Sequence, residues 1–227
     1  MEPVILLRDA VTVLGGFPAL AGADLDVWRG EIVLVSGPNG AGKSTLLRLC
    51  AGLASLAKGS GRVLGFDLVR QRREIRRRVG YLGHANGLYL ELTAEENVRF
   101  WARSAAAPAH DDVATLDRLE VPTRWRSLAV AHLSAGQRRR VALACVVVRR
   151  PDIWLLDEPH TGLDGPSRDL LDGVLREAVA AGATVLVASH ELDRSAALAT
   201  RTVRIVGGVL SSTDEPSDGS RGTVDVA

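Results

Sequence analysis

Lysine is almost missing from this chain: of its 28 basic side chains only Lys43 and Lys58 are lysine, and the rest are arginine. A sequence that uses arginine nearly everywhere keeps a compact ammonium at position 43, which marks that position for scrutiny. Cysteine is scarce as well. Cys50 and Cys145 both sit in apolar, helix-like runs, so buried free thiols in a reducing compartment are expected. No apolar run approaches the ~20 residues of a membrane span. The N-terminus has no basic region followed by an apolar stretch, so no signal peptide is expected. Any membrane association would come through a partner. A formal net charge of +1 gives no reason to propose nucleic-acid binding. What is present is ordinary: 227 residues, 46% hydrophobic and 24% charged, which suits one compact domain with a sizeable core.

Lys43 stands in the stretch Gly37-Pro38-Asn39-Gly40-Ala41-Gly42-Lys43-Ser44. The apolar, strand-like run 32–35 precedes it. Leu46, Leu47, Leu49, Cys50 and Leu53 follow at helical spacing. This is the context that a G-x-x-x-x-G-K-[ST] phosphate loop needs. Glycines let backbone N–H groups curl towards an anion, and the following helix adds the positive end of its dipole. Lys43 can reach β- and γ-phosphates, and Ser44 can offer a hydroxyl to Mg²⁺. The plain alternative, a glycine-rich turn, does not account for strand, motif and helix arriving in order.

In chain order, strands are expected over 2–14 and 23–29, turning at Gly15-Gly16, with the alternation of Ala23, Leu25 and Val27 against Asp24 and Asp26 indicating an antiparallel, half-buried strand. A short strand is expected over 59–65. The arginine-rich run 70–78 reads as a solvated helix face, and 79–82 as a buried strand. Thr93 to Glu96 forms a capping box that opens a helix to about 106. Residues 105–112 read as a connector, followed by helices over 112–120 and from Ser134 to about 148. A strand over 153–156, a helix over 166–181 and strands over 184–188 and 202–206 complete the pattern. The tail 211–227 is poor in apolar residues and expected to be disordered. Strands alternating with helices imply an α/β fold, a mostly parallel sheet with helices on both faces. The helical stretch 87–148 interrupts that alternation and is expected to form its own lobe, between core segments 1–86 and 149–210.

Two further motifs bear on chemistry. The run Ile153-Trp154-Leu155-Leu156 delivers Asp157 and Glu158 at its carboxyl end, where phosphate-loop enzymes carry a Mg²⁺-binding aspartate. Glu158 is then the natural base for an attacking water. Leu133-Ser134-Ala135-Gly136-Gln137 has capping-box spacing. From spacing alone it is a capped helix start, although such a start also exposes backbone N–H groups to an anion.

Taken together, 37–44, 133–137, Asp157-Glu158 and Ser189-His190 resemble the motif set of an ATP-binding cassette ATPase, over residues 2–210. The resemblance implies a P-loop NTPase fold with an N-terminal antiparallel β-subdomain and an inserted α-helical signature subdomain. It also implies that Gly37, Pro38, Asn39, Gly40, Ala41, Gly42, Lys43, Ser44 and Thr45 hold ATP, and that Ser44 and Asp157 hold Mg²⁺. Two copies would pair head to tail when ATP binds. Ser134, Gly136 and Gln137 of one copy would meet the nucleotide of the other, with Asp164 on the loop crossing the interface. Glu158 and His190 would act at the γ-phosphate.

The chain departs from the family pattern at three places. Ala135 replaces a usual glycine, and a helical backbone there would tolerate the methyl. His84 stands where a glutamine normally senses Mg²⁺ and the transporter. Leu14 stands where an aromatic stacks on adenine, with Phe17 as candidate substitute. Tyr81 to His84, Glu91 to Thr93, Glu96 to Phe100 and Leu133 to Ala144, with Trp154, are similar to the ATPase subunit of the haem exporter in cytochrome c maturation. That resemblance implies integral membrane permease partners and a peripheral position on the cytoplasmic membrane face. A cassette ATPase for a drug, a lipid or another cargo is one rival, and a soluble cassette protein acting on DNA or ribosomes is the other. Only 89 residues separate Ser44 from Ser134 and there is one cassette, both of which favour transport.

Overall fold

The computed structural model describes residues 2–105, 107–108 and 110–212. In order, the elements are β1 (Ile5–Leu14), β2 (Phe17–Val27), β3 (Ile32–Ser36), α1 (Lys43–Cys50), β4 (Lys58–Val63), β5 (Phe66–Asp67), α2 (Arg72–Arg78) and β6 (Val79–Leu82). Then follow α3 (Ala94–Ser104), α4 (Asp111–Arg118), α5 (Thr123–Arg126), a 3₁₀ turn (Val130–His132), α6 (Ala135–Val147) and β7 (Ile153–Asp157). The chain continues through α7 (Gly165–Ala180), β8 (Thr184–Ala188), α8 (Leu192–Leu198), β9 (Arg201–Val206) and β10 (Val209–Ser212).

Two sheets carry the fold. An antiparallel one has the order β2-β1-β4-β5, and a six-stranded one has the order β10-β9-β3-β8-β7-β6. In the larger sheet every pairing is parallel except the β9–β10 hairpin. Strands β7 and β8 are buried at every position, as expected of parallel strands covered on both faces. Their alternation splits the interior in two. Val33, Val35, Leu155 and Leu186 face α1 and the antiparallel sheet, while Ile32, Trp154, Leu156, Val185 and Val187 face the other core. That second core is shared with Val98, Leu116, Val141, Ala144 and Leu175, so the helices of 94–147 are built onto the sheet rather than around an independent centre.

The expected elements form, with differences that have local causes. β2 starts at Phe17, not 23, because the Gly15-Gly16 turn is tight enough for Leu14 to pair with Phe17 directly. The expected strand over 59–65 is two strands of a hairpin turning at Leu64-Gly65, both at positive φ. α2 exposes Arg73, Arg76, Arg77 and Arg78 and buries only Ile75, which is the solvated basic face expected. α5, the 3₁₀ turn and α8 were not legible, being too short for a periodic signal. The expected disordered tail is corrected at its start: Ser211 and Ser212 pair with Arg204 and Val203 at the end of β10, where hydrogen bonding outweighs their polar composition. Residues 213–227 lie outside the described residues. Among the described residues, no helix is long and apolar enough to cross a membrane.

Since β3, β6, β7 and β8 run parallel, their carboxyl ends share one edge of the sheet. Residues 37–42 leave β3 there, Gly83-His84 leaves β6, Asp157 ends β7, and Ser189-His190 leaves β8. In open α/β sheets that edge is where ligands bind.

Candidate active site

The loop 37–42 wraps the start of α1, so Ser44 and Thr45 lie in the first helical turn. The Nζ of Lys43, mostly buried, donates to the carbonyls of Gly37 at 2.7 Å and Pro38 at 3.1 Å, which fixes the ammonium inside the loop's own curl. Gly37 is required by contact: its φ is +148°, and a Cβ there would stand 2.1 Å from the carbonyl oxygen of Ile205. The β9–β10 hairpin braces the loop from outside, with the N–H of Gly208 donating to the carbonyl of Ala41 at 3.0 Å. Sequence reasoning missed that brace because nothing in 205–208 resembles a phosphate motif.

The loop opens into a cleft of about 400 Å³ lined by Leu14, Ala19, Asn39, Gly40, Gly42, Lys43, Ser44, Thr45, His84, Asp157 and Glu158. A larger concavity of about 590 Å³, lined by Arg29, Arg118, Trp154 and Glu177 among others, contains neither the loop 37–44 nor Asp157, Glu158 or His190. The structure therefore joins the phosphate loop, the two acids and His84 in one place. Phe17 does not line the cleft. It is 78% exposed and lies across the strand pair from Leu14, which does line it.

Asp157 is buried at the end of β7, and Glu158 follows at φ +49°, in the left-handed region that side chains seldom adopt. Observed strain of this kind collects at functional sites. Its N–H is held by the carbonyl of Ala188 at 2.8 Å. The turn aims the carboxylate at the end of β8, where Oε2 lies 2.8 Å from Nδ1 of His190. The backbone N–H of His190 approaches the same oxygen at 3.4 Å. Beneath this turn, buried His160 pairs its Nε2 with Asp172 at 2.8 Å, and Arg194 holds the same acid at 2.7 Å. That packing pair was not legible from local sequence pattern.

Ser134, Gly136, Gln137 and Asp164 stand apart from the cleft. Ser134 caps α6, its hydroxyl accepting from the N–H of Gln137 at 3.3 Å while Oε1 of Gln137 accepts from the N–H of Ser134 at 2.8 Å. Ala135 is the first residue of α6, so its methyl sits on helical backbone as expected. Gly136 packs so closely that a Cβ would lie 2.4 Å from the carbonyl oxygen of Gly162. Asp164 caps α7 by accepting from the N–H of Ser167 at 3.0 Å. The hydroxyl and N–H of Ser167 hold its carboxyl below the usual carboxylate range.

The donor set suits Mg²⁺. Ser44 and Asp157 bring a hydroxyl and a carboxylate to the same cleft, both hard oxygen ligands. Among the described residues no cluster of three or more His, Cys, Asp or Glu could cage a metal.

A family model described as "ABC transporter" matches residues 20–161. The chain is 40% identical over 186 residues to the cytochrome c biogenesis ATP-binding export protein CcmA of Bradyrhizobium diazoefficiens, covering 81% of this chain and 90% of that one. It is 34% identical over 194 residues to the ABC transporter ATP-binding protein NatA of Bacillus subtilis, covering 84% and 79%. A solved ATP-binding subunit of an ABC transporter superposes with a TM-score of 0.85 at 27% identity, covering 93% and 90%. A dimeric post-hydrolysis cassette bound to ADP and phosphate shares the fold, with a TM-score of 0.82 at 24% identity over 92% and 98%.

Proposed function

The chain belongs to the ABC transporter family as an ATP-binding, ATP-hydrolysing subunit, and on that premise we propose that it powers an export step of cytochrome c biogenesis, with haem or a haem-linked group as cargo. The observation that carries the mechanism is the convergence of Lys43, Ser44, His84, Asp157 and Glu158 on one cleft, with His190 against Glu158.

In this reading Lys43 and the N–H groups at the start of α1 hold the phosphates of ATP. Ser44 and Asp157 would hold Mg²⁺, which when bound would supply positive charge to offset that of the phosphates. Glu158 accepts a proton from the attacking water as its oxygen bonds to the γ-phosphorus and the bond to the β-phosphate oxygen breaks, releasing ADP and phosphate. His190 orients the Glu158 carboxylate and reaches the γ-phosphate. Leu14, with Phe17 beside it, offers apolar surface for adenine. Two copies pair head to tail around ATP, each presenting Ser134, Gly136, Gln137 and the loop bearing Asp164 to the other's nucleotide. ATP binding closes the pair and hydrolysis reopens it. The motion passes through the loop around His84 to integral membrane permease subunits, with this chain peripheral on the cytoplasmic face.

The test is co-purification of the Glu158→Gln protein with ATP from native membranes. Permease subunits of the haem-export type, together with haem-dependent ATPase rates for the wild type, are expected. A different permease would discard haem and keep the motor. Recovery of DNA or ribosomes with no membrane partner would overturn the transport reading.

A further inference from the structure

The three arginines Arg138, Arg139 and Arg140 of α6 read in sequence as one basic run, but they do different things. Arg138 and Arg140 are half-buried at the helix start, where Arg138 donates to the carbonyls of Val130 and Ala131, and Arg140 donates to the carbonyl of Glu120 and the hydroxyl of Ser167. Arg139 turns inward and is only 5% exposed. A buried guanidinium is costly unless its donors are met, and it has five N–H groups in a fixed fork. Here there is an acceptor for each. Nε donates to the carbonyl of Pro159 at 3.4 Å, and Nη2 to the carbonyls of Asp157 and Glu158, each at 2.7 Å. Nη1 donates to the carbonyl of Gly83 at 2.8 Å and to Oδ1 of Asn86 at 3.1 Å.

The two sides of this fork are what matters. One grips three successive carbonyls of the turn that holds Glu158 in its left-handed conformation. The other grips the loop on both sides of His84, which faces the same cleft. A lysine at 139 would bring a point charge with three donors and could not satisfy both sides together. Burial lowers the proton affinity of Arg139, an effect opposed by the nearby charges of Asp157 and Glu158.

We propose that Arg139 is a positioning residue for ATP hydrolysis: it locks the 157–159 turn so that Glu158 meets His190 and the cleft, and it couples that turn to the loop bearing His84. This rests on the assignment of Glu158 as the base. Arg139 touches no phosphate in this role, so its loss should act on turnover and spare nucleotide affinity.

The experiment measures kcat and equilibrium ATP binding for Arg139→Lys and Asn86→Ala, and single-turnover rates for Arg139→Lys in wild-type and Glu158→Gln backgrounds. Arg139→Lys is expected to lower kcat by about tenfold or more while ATP Kd stays within about threefold. Asn86→Ala removes one of the five acceptors and should lower kcat in the same direction by less. In the Glu158→Gln background, Arg139→Lys should change the remaining rate by less than about twofold, because the group it positions is gone. Unchanged turnover in Arg139→Lys overturns the proposal, as does an equal loss in both backgrounds or a parallel loss of binding. Wild-type turnover in Glu158→Gln alone would instead remove the assignment of Glu158, and the positioning role with it. An inactive Glu158→Gln beside an active Arg139→Lys removes only the positioning role.

Discussion

Nδ1 of His190 lies 2.8 Å from Oε2 of Glu158, so the residue leaving β8 touches the acid leaving β7. Those two strands are hydrogen-bonded neighbours, and the contact exists because both chains exit at the same edge. The contact fixes the orientation of the Glu158 carboxylate, which also lines the cleft. His190→Ala is therefore expected to reduce kcat by about 10²-fold with little change in ATP affinity, measured by steady-state ATPase and equilibrium binding. An equal fall in affinity would place His190 in ground-state binding instead.

Lys43 shows what the scarcity of lysine is for. Its ammonium spends two donors on the carbonyls of Gly37 and Pro38, inside a curl too tight for a planar guanidinium. Lys43→Arg should behave much like Lys43→Ala and lose ATP binding, even though arginine is the chain's usual cation. Near-normal ATP affinity in Lys43→Arg, by fluorescent nucleotide titration, would show that charge alone suffices.

Two capping boxes of the same form separate stability from function. Thr93 caps α3 and Ser134 caps α6, each in a reciprocal pair with the residue three further on. Loss of either hydroxyl should cost about 1 kcal/mol of stability by chemical denaturation. Only Ser134→Ala should also weaken ATP-dependent dimerisation and turnover. Equal effects on dimerisation from Thr93→Ala and Ser134→Ala would reduce Ser134 to a helix cap.

Burial pushes the Cys50 thiol up to about 12 and the Cys145 thiol further from its ordinary value. Reactive thiolate is therefore scarce at ordinary pH. A thiol reagent at pH 8 should label neither residue in the native protein and both after denaturation. Fast native labelling would mean that the α1 or α6 packing opens.

How far the sequence could be read follows from which signals are local. The phosphate loop, the strand ending in Asp157-Glu158, and the boxes at Thr93 and Ser134 are contiguous, so they were legible along with the parallel sheet. The grip of Arg139 on five acceptors, the brace of Ile205 and Gly208 on the phosphate loop, and the His160–Asp172 pair join segments far apart in the chain. Nothing local marks them. Phe17 was legible only as a neighbour of Leu14: it pairs with Leu14 across the strand turn and stays exposed at the rim, while Leu14 itself lines the cleft.

The assignment of Glu158 as the base is tested by the ATPase rate of Glu158→Gln measured beside its ATP affinity. Affinity is expected within about threefold of wild type and turnover lower by about 10²-fold or more, because the substitution removes the base and leaves the phosphate loop intact. Turnover within about twofold of wild type would contradict it, since the proton would then be leaving the attacking water by a route that does not pass through Glu158.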